Sequence, residues 1–373
     1  MKVLHTADLH LQEYNDARWN SLKEIVRLGK AEAIDVLTIC GDLFESTHHA
    51  HKLRPKIREI FSGLPFTVLI IPGNHDAEAY PDGVFLGEKV TVIRDLLTPV
   101  ELGDVFFWGF PFEEMPPEEI LEYLHLAGEM ARKRSFEKRR DSGTHQPGSR
   151  EEKQKVHVLL FHGELLDIVD GWSQYGDEGK QRYLPVKLSY FRTLPWHYVL
   201  AGHFHINFSV HRIEEERFFV YSGSPVSITR RELGTRQVNL FTIGGPPASF
   251  PLHTPYYEKL ELHLNPFLKQ NPVEILSERL AALPEHAYLL VEIDGYFDGK
   301  QLEMSEEEFH RAISKLIGKR MEVVRMEFRD IREIMEDDLF KRFMTRLNRI
   351  SLDDTEKQSI VQYALQAMIE ARP

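Results

Sequence analysis

Nine residues in five short segments have the types and spacing to hold metal ions and to move a proton: Asp8 and His10, Asp42, the run Asn74-His75-Asp76, His162, and His203 with His205. Each segment directly follows an apolar run, as in Val36-Leu37-Thr38-Ile39-Cys40 before Gly41-Asp42, or Val158-Leu159-Leu160-Phe161 before His162. Any one of them alone would be an ordinary turn or a surface histidine. Together, Asp8, His10, Asp42, Asn74, His162, His203 and His205 offer oxygen and nitrogen donors with no thiolate, a set that suits manganese, iron or zinc. In extended chain, Asp8-x-His10 and His203-x-His205 would show alternate residues to one side, and a turn could splay them toward two ions.

Hydrolysis of a phosphate ester needs such a set. A phosphodiester is anionic and has a poor leaving group. Two divalent ions about 3.5–4 Å apart can clamp its oxygens, lower the pKa of a bound water and stabilise both the attacking and the departing oxygen. Asp42 is the expected shared carboxylate. His75, beside Asn74, is the expected catalytic histidine, because imidazole titrates near neutrality and can protonate a leaving oxygen. Asp76 is expected to orient that ring. Gly41, Gly73 and Gly202 are expected where backbone must approach the ions closely.

The elements that must position these residues are legible as apolar runs. Strands are predicted over 2–7, 35–40 and 66–71, with helices over 18–33 and 55–61 between them. This strand–helix–strand rhythm predicts parallel strands covered by helices, with ligands gathered beyond the carboxyl ends of the strands. A strand over 105–110, a helix over 117–133 and strands over 156–161 and 198–201 follow. Residues 206–212 and 217–221 read as an antiparallel pair, and 237–241 as one more strand. Gly244-Gly245-Pro246-Pro247 marks the expected boundary between a domain over 1–245 and a small α/β domain over 252–373. In the latter, strands are predicted over 257–264, 287–293 and 320–328. Helices are predicted over 305–317, with Ser305 as N-cap and Glu308 three positions on, then over 330–347 and 354–371. The last helix would set Ile360, Tyr363, Ala364, Ala367 and Met368 on one side, to dock on its own domain or on another chain.

Size and charge bound the reading. The chain has 373 residues, 42% of them hydrophobic, enough for two domains. No apolar run reaches membrane-spanning length, and the first residues lack the parts of a signal peptide. The single cysteine, Cys40, reads as a buried small hydrophobe in a reducing compartment, so a cytoplasmic setting is expected. Formal net charge is −12, which is not the basic footprint of unaided nucleic-acid binding. Metal-holding carboxylates contribute to that figure, and bound ions reverse it locally. The segment Lys133–Lys155 is charged and lacks apolar periodicity; it reads as a solvated loop or as a contact for a phosphate backbone.

Asp-x-His, Gly-Asp, Gly-Asn-His-Asp and Gly-His-x-His in this order resemble the motifs of calcineurin-like metallophosphoesterases. The wider wording is similar to one branch, the SbcD-type DNA repair exonucleases: His5-Thr6-Ala7-Asp8-Leu9-His10-Leu11, Gly41-Asp42-Leu43-Phe44, Tyr198-Val199-Leu200-Ala201-Gly202-His203-Phe204-His205 and Tyr221-Ser222-Gly223-Ser224-Pro225. The resemblance implies an α/β fold, a metallophosphoesterase β-sandwich flanked by helices, with a small C-terminal α/β capping domain that faces DNA. It implies one metal on Asp8, His10 and His205 and another on Asn74, His162 and His203, with Asp42 bridging and His75 catalytic. Manganese is the implied metal, with Fe2+ or Zn2+ as alternatives. DNA with double-stranded ends is the implied substrate, and a homodimer and an SbcC-type coiled-coil ATPase are the implied partners. Gly163-Glu164 after His162 departs from that branch. A phosphodiesterase or phosphatase acting on small esters such as nucleotides or phospholipids is the alternative enzyme, and a non-catalytic DNA-repair scaffold the alternative outside catalysis.

Overall fold

A computed structural model of the chain describes residues 1–135, 155–167, 183–205, 208–267, 270–318 and 320–371. The chain divides into two compact units, Met1–Tyr257 and Glu258–Pro373. The first unit opens with β1 (Lys2–Thr6), α1 (Ala17–Ala31), β2 (Val36–Cys40), α2 (Thr47–Phe61), β3 (Thr67–Ile71) and β4 (Val90–Val92). It continues with β5 (Val100–Leu102), β6 (Val105–Phe110), α3 (Pro117–Ser135), β7 (Val156–His162), α4 (Leu188–Phe191) and β8 (Tyr198–Gly202). An antiparallel pair, β9 (Ser209–Glu214) with β10 (Arg217–Tyr221), precedes β11 (Gln237–Thr242) and β12 (Ser249–Pro251).

Two six-stranded sheets result, ordered β12-β11-β1-β2-β3-β4 and β5-β6-β7-β8-β10-β9. Alternation along the strands decides what each face meets. Val3, Ala7, Val36, Cys40, Leu69 and Ile71 of the first sheet turn inward onto Phe107, Val158, Leu160, Leu200 and Val220 of the second. Leu4, Leu37, Ile39, Val68 and Ile70 turn outward onto α1 and α2 through Leu22, Ile25, Leu53 and Ile57. Trp108, Leu159, Phe161 and Val199 turn outward onto Ile120, Leu124 and Ala127 of α3. Both faces of the central strands are therefore dry, which is why they read as unbroken apolar runs. The architecture is the expected β-sandwich flanked by helices; the parallel runs belong to two facing sheets rather than to one open sheet.

Three local readings change. The second helix begins two turns before Pro55, capped by the Ser46 side chain, which accepts from the His49 amide; proline favours a first turn, and here it sits inside the helix instead. The helix α3 runs to Ser135, so Lys133 and Arg134 are helical, and residues 136–154 of the predicted loop lie outside the described residues. Gly244-Gly245-Pro246-Pro247 joins β11 to β12, which pair antiparallel, so the expected boundary at 245 falls inside a hairpin of the first unit.

The second sheet system is β13-β14-β15, built from β13 (Tyr256–Leu264), β14 (Ala287–Phe297) and β15 (Met321–Asp330). The helices with it are α5 (Pro272–Ala282), α6 (Glu306–Leu316), α7 (Arg332–Glu336), α8 (Asp338–Leu347) and α9 (Asp354–Glu370). Ser305 and Glu308 form a reciprocal capping box on α6. The helix predicted over 330–347 is broken at Asp337, which is extended and whose carboxylate accepts from the Leu339 amide at 2.7 Å. Helix α9 buries Val361 and Leu365 with Ile334, Phe340 and Leu347, while Ile360 and Tyr363 stay exposed. Of the predicted face, Met368 does pack on that core and Ala364 is half-buried, so periodicity placed the face partly off, toward Ile360 and Tyr363. Among the described residues, no helix is long and apolar enough to cross a membrane.

Candidate metal centre

Asp8 and His10 follow β1, Asp42 follows β2, and Asn74, His75 and Asp76 follow β3; His162 ends β7, and His203 and His205 follow β8. Strand ends of both sheets thus converge on one site. The first two loops are stitched together by Asp8 N to Gly41 O (3.2 Å), His10 N to Asp42 O (2.9 Å) and Leu11 N to Leu43 O (3.0 Å). Asp8, His10, Asp42 and His203 have φ of +55°, +48°, +51° and +104°. Side chains other than glycine seldom adopt this left-handed region, and such backbone persists where the surroundings over-determine it. Gly41 has φ +90° as well, and a Cβ there would stand 2.0 Å from His162 Nδ1; one on Gly73 would stand 2.2 Å from Asp42 Oδ1. Backbone lies against the ligand side chains, and only glycine leaves the room.

Two clusters form. Ligand atoms of Asp8, His10 and His205 lie within 4.8 Å of one another, and so do those of Asp8, Asp42 and His162. His10 Nε2 and His205 Nε2 face each other at 3.0 Å. Asp42 Oδ2 is 3.2 Å from His162 Nε2 and 3.6 Å from His10 Nε2, between one histidine of each cluster. His162 Nδ1 donates to the Cys40 carbonyl at 2.9 Å, which turns Nε2 toward Asn74 Oδ1 at 2.9 Å and toward Asp42. An imidazole nitrogen set among oxygen acceptors, and two imidazole nitrogens aimed at each other, are arrangements that a shared cation in place of a proton satisfies. The donors present fit two divalent ions.

His203 stands beside the second cluster. Its ring is 5.4 Å from that of His162, its ring nitrogens have no hydrogen-bond partner among the described residues, and its amide donates to both Asp8 oxygens at 3.0 and 3.1 Å. His75 is at the rim, its ring 4.6 Å from that of His10 and its amide 2.9 Å from Asp42 Oδ1. Burial raises the pKa of Asp8 even against the pull of His162 and His205. Burial also opposes ionisation of Asp42, yet His162 beside it holds that carboxyl well below its ordinary range. In return His162, against the effect of burial, is pushed up to about 9 by Asp42 and Asp8. Buried carboxylates and imidazoles coupled in this way mark a site built around charge.

Asp76 does not orient His75. Its Oδ1 accepts from Gly73 N (2.8 Å) and its Oδ2 from Phe44 N (3.1 Å) and the Tyr80 hydroxyl (2.7 Å), so it clamps the loops after β2 and β3. Burial and then the charge of Asp42 raise its pKa to about 7. A carboxylate near the His75 ring is that of Glu45, with Oε1 3.9 Å from His75 Nδ1 and Oε2 3.2 Å from His10 Nδ1, held by Arg18 at 2.8 Å. Buried Glu232 reaches His205 Nδ1 at 3.3 Å, and buried Glu164 stands 3.7 Å from His203 Nε2. Sequence reasoning missed all three glutamates. Position 45 carried a signal, since it follows Gly41-Asp42 closely; position 232 lies in a loop with no pattern to single it out.

A sequence profile of calcineurin-like phosphoesterases matches residues 1–207. The chain belongs to the calcineurin-like phosphoesterase family. With both clusters assembled from its own side chains, this calcineurin-like phosphoesterase is a metal-dependent enzyme with two candidate divalent-metal sites. Similar solved structures include TT1561 of Thermus thermophilus, at 12% identity over 64% of this chain and 92% of that one, with a TM-score of 0.38. Purple acid phosphatase PPD1 from yellow lupin seeds is similar at 14% identity over 60% and 44%, TM-score 0.39. GAP50, the anchor in the inner membrane complex of Plasmodium, is similar at 9% over 64% and 80%, TM-score 0.37. Among curated proteins, none matches the sequence.

Proposed function

We propose that this phosphoesterase is a manganese-dependent, cytoplasmic DNA nuclease that processes double-stranded ends in repair. The observation that carries the reading is the wording of the site: the residues converging on two adjacent metal clusters stand in motifs similar to those of SbcD-type exonucleases. In this reading Asp8, His10 and His205 hold one ion, Asn74, His162 and His203 the other, and Asp42 lies between them. When bound, the ions supply a clamp on the phosphate oxygens and an activated water. His75, half out of the protein at the rim, delivers a proton to the departing oxygen, and Glu45 keeps its ring in register. A homodimer and an SbcC-type coiled-coil ATPase complete the proposal as partners.

The net charge of −12 favours a second reading, hydrolysis of small phosphodiesters such as nucleotides. A scaffold role is disfavoured by a donor set complete at every position. The deciding experiment incubates the metal-stripped protein, reloaded with manganese, with linear duplex DNA and separately with bis-p-nitrophenyl phosphate, beside His75→Ala. Loss of DNA ends by wild type and not by the variant supports the nuclease. Turnover of the small ester with DNA left intact moves the substrate to small diesters.

A further inference from the structure

The segment Tyr221-Ser222-Gly223-Ser224-Pro225 and the loop after it build a buried polar network whose target is His205. Ser224, Glu232 and Arg236 are all shielded from solvent. Glu232 Oε1 lies 3.3 Å from His205 Nδ1. The same carboxylate accepts from Thr229 N and Oγ1, both at 3.1 Å, from Ile228 N at 2.9 Å, and from Ser224 Oγ at 3.0 Å. Arg236 donates from Nε to the Ser224 carbonyl at 3.0 Å and from Nη2 to the His205 carbonyl. His205 is therefore gripped twice, at its backbone oxygen and at the ring nitrogen that turns away from the site.

A buried ion pair is weak support for a fold, since well-packed apolar side chains often replace one without loss. An apolar side chain cannot, however, accept the Nδ1 proton of an imidazole. Acceptance of that proton fixes the tautomer and leaves the Nε2 lone pair facing His10 Nε2, 3.0 Å away, inside the Asp8–His10–His205 cluster. We propose that Glu232, held by Ser224, Ile228 and Thr229, is a positioning residue that sets the tautomer and aim of His205 and thereby the affinity of that cluster for its ion. The inference rests on the metal-site part of the reading above and is independent of the choice of DNA as substrate.

The test is a manganese titration of the metal-stripped full chain by isothermal calorimetry, with metal analysis and thermal melting, for wild type, Glu232→Gln and Ser224→Ala. Wild type takes two ions. Glu232→Gln keeps the shape but not the charge, and because Thr229 and Ile228 donate to opposite oxygens its NH2 must displace one acceptor of this network; it binds one ion as wild type does and the other roughly 10–100-fold more weakly, with its metal-free melting point unchanged. Ser224→Ala leaves the carboxylate in place and weakens the same ion by a few-fold. Two ions bound by Glu232→Gln at wild-type affinity overturn the inference. So does equal weakening of both ions together with a lower metal-free melting point, the signature of a merely structural role. If Glu232→Gln does not fold, two wild-type affinities in Ser224→Ala overturn it. Wild type that takes no manganese refutes the metal-site reading itself, and with it the inference.

Discussion

His75 and Asp76 are neighbours in the chain with different surroundings, one at the rim and one buried. The His75 ring is at the rim, so His75→Ala is expected to lower kcat on bis-p-nitrophenyl phosphate by roughly 10²–10⁴-fold while melting within about 2 °C of wild type. Asp76→Ala strands two buried amides and a buried hydroxyl, a loss of about 2–4 kcal/mol of stability. Kinetics beside scanning calorimetry separates the two; a His75→Ala protein that melts low yet turns over normally would reverse the assignment. Away from the site, His157 accepts from Trp108 Nε1 at 3.1 Å and contacts Ser135 Oγ at 2.8 Å. Burial first, then His197, Lys155 and Arg134, brings its pKa down to about 4 from 6.5, and burial takes His5 to about 3. The unfolded chain binds these protons first, so the contribution of these two histidines to stability is full above pH 6.5 and is lost as pH drops from there toward 4. Urea unfolding across that window should show wild type losing stability relative to His157→Gln as pH drops. What sequence showed at this scale were Asp8, His10, Asp42, His162 and His205, which the fold brings into two clusters, because each stands close after an apolar run. Glu164 and Glu232 were hidden because only folding brings them to His203 and His205, whereas Glu45 carried the signal of its closeness to Gly41-Asp42.

Elements were read well where burial on both faces left continuous apolar strands, as in β2, β3, β7 and β8. They were misread where one residue has two customary places. Pro55 is the instance: it is exposed inside α2, where it forgoes a backbone bond. Pro55→Ala is therefore expected to stabilise the protein by about 1–3 kcal/mol, after allowance for the looser unfolded chain, and a urea midpoint that moves down would contradict this. Asp337 misled in a similar way. A continuous apolar pattern spans it, yet its own carboxylate caps a fresh helix there. The turn at 244–247 was taken for a domain boundary because Gly and Pro punctuate hairpins and linkers alike, and only the pairing of β11 with β12 tells them apart.

As a whole, the chain holds its metal site entirely within Met1–Tyr257, while Glu258–Pro373 has its own sheet and its own helical core. Manganese at about 100 times its dissociation constant should raise the unfolding free energy of the first unit by about 2.7 kcal/mol per ion. A calorimetric scan should show that unit's transition moving up with manganese and down with EDTA, with the second unit's transition unmoved. A shift of both together would mean that the units melt as one. The two-sheet origin of the ligands has a further consequence, in time rather than in free energy. Asp8 and His203 are joined by a bond across 195 residues, so neither cluster exists until both sheets have formed and closed on each other. An ion gripped only after that closure cannot help the chain to reach it, and resists its undoing. Manganese should therefore leave the refolding arm of a chevron almost where it was and slow the unfolding arm, turning the metal into a latch on the finished protein.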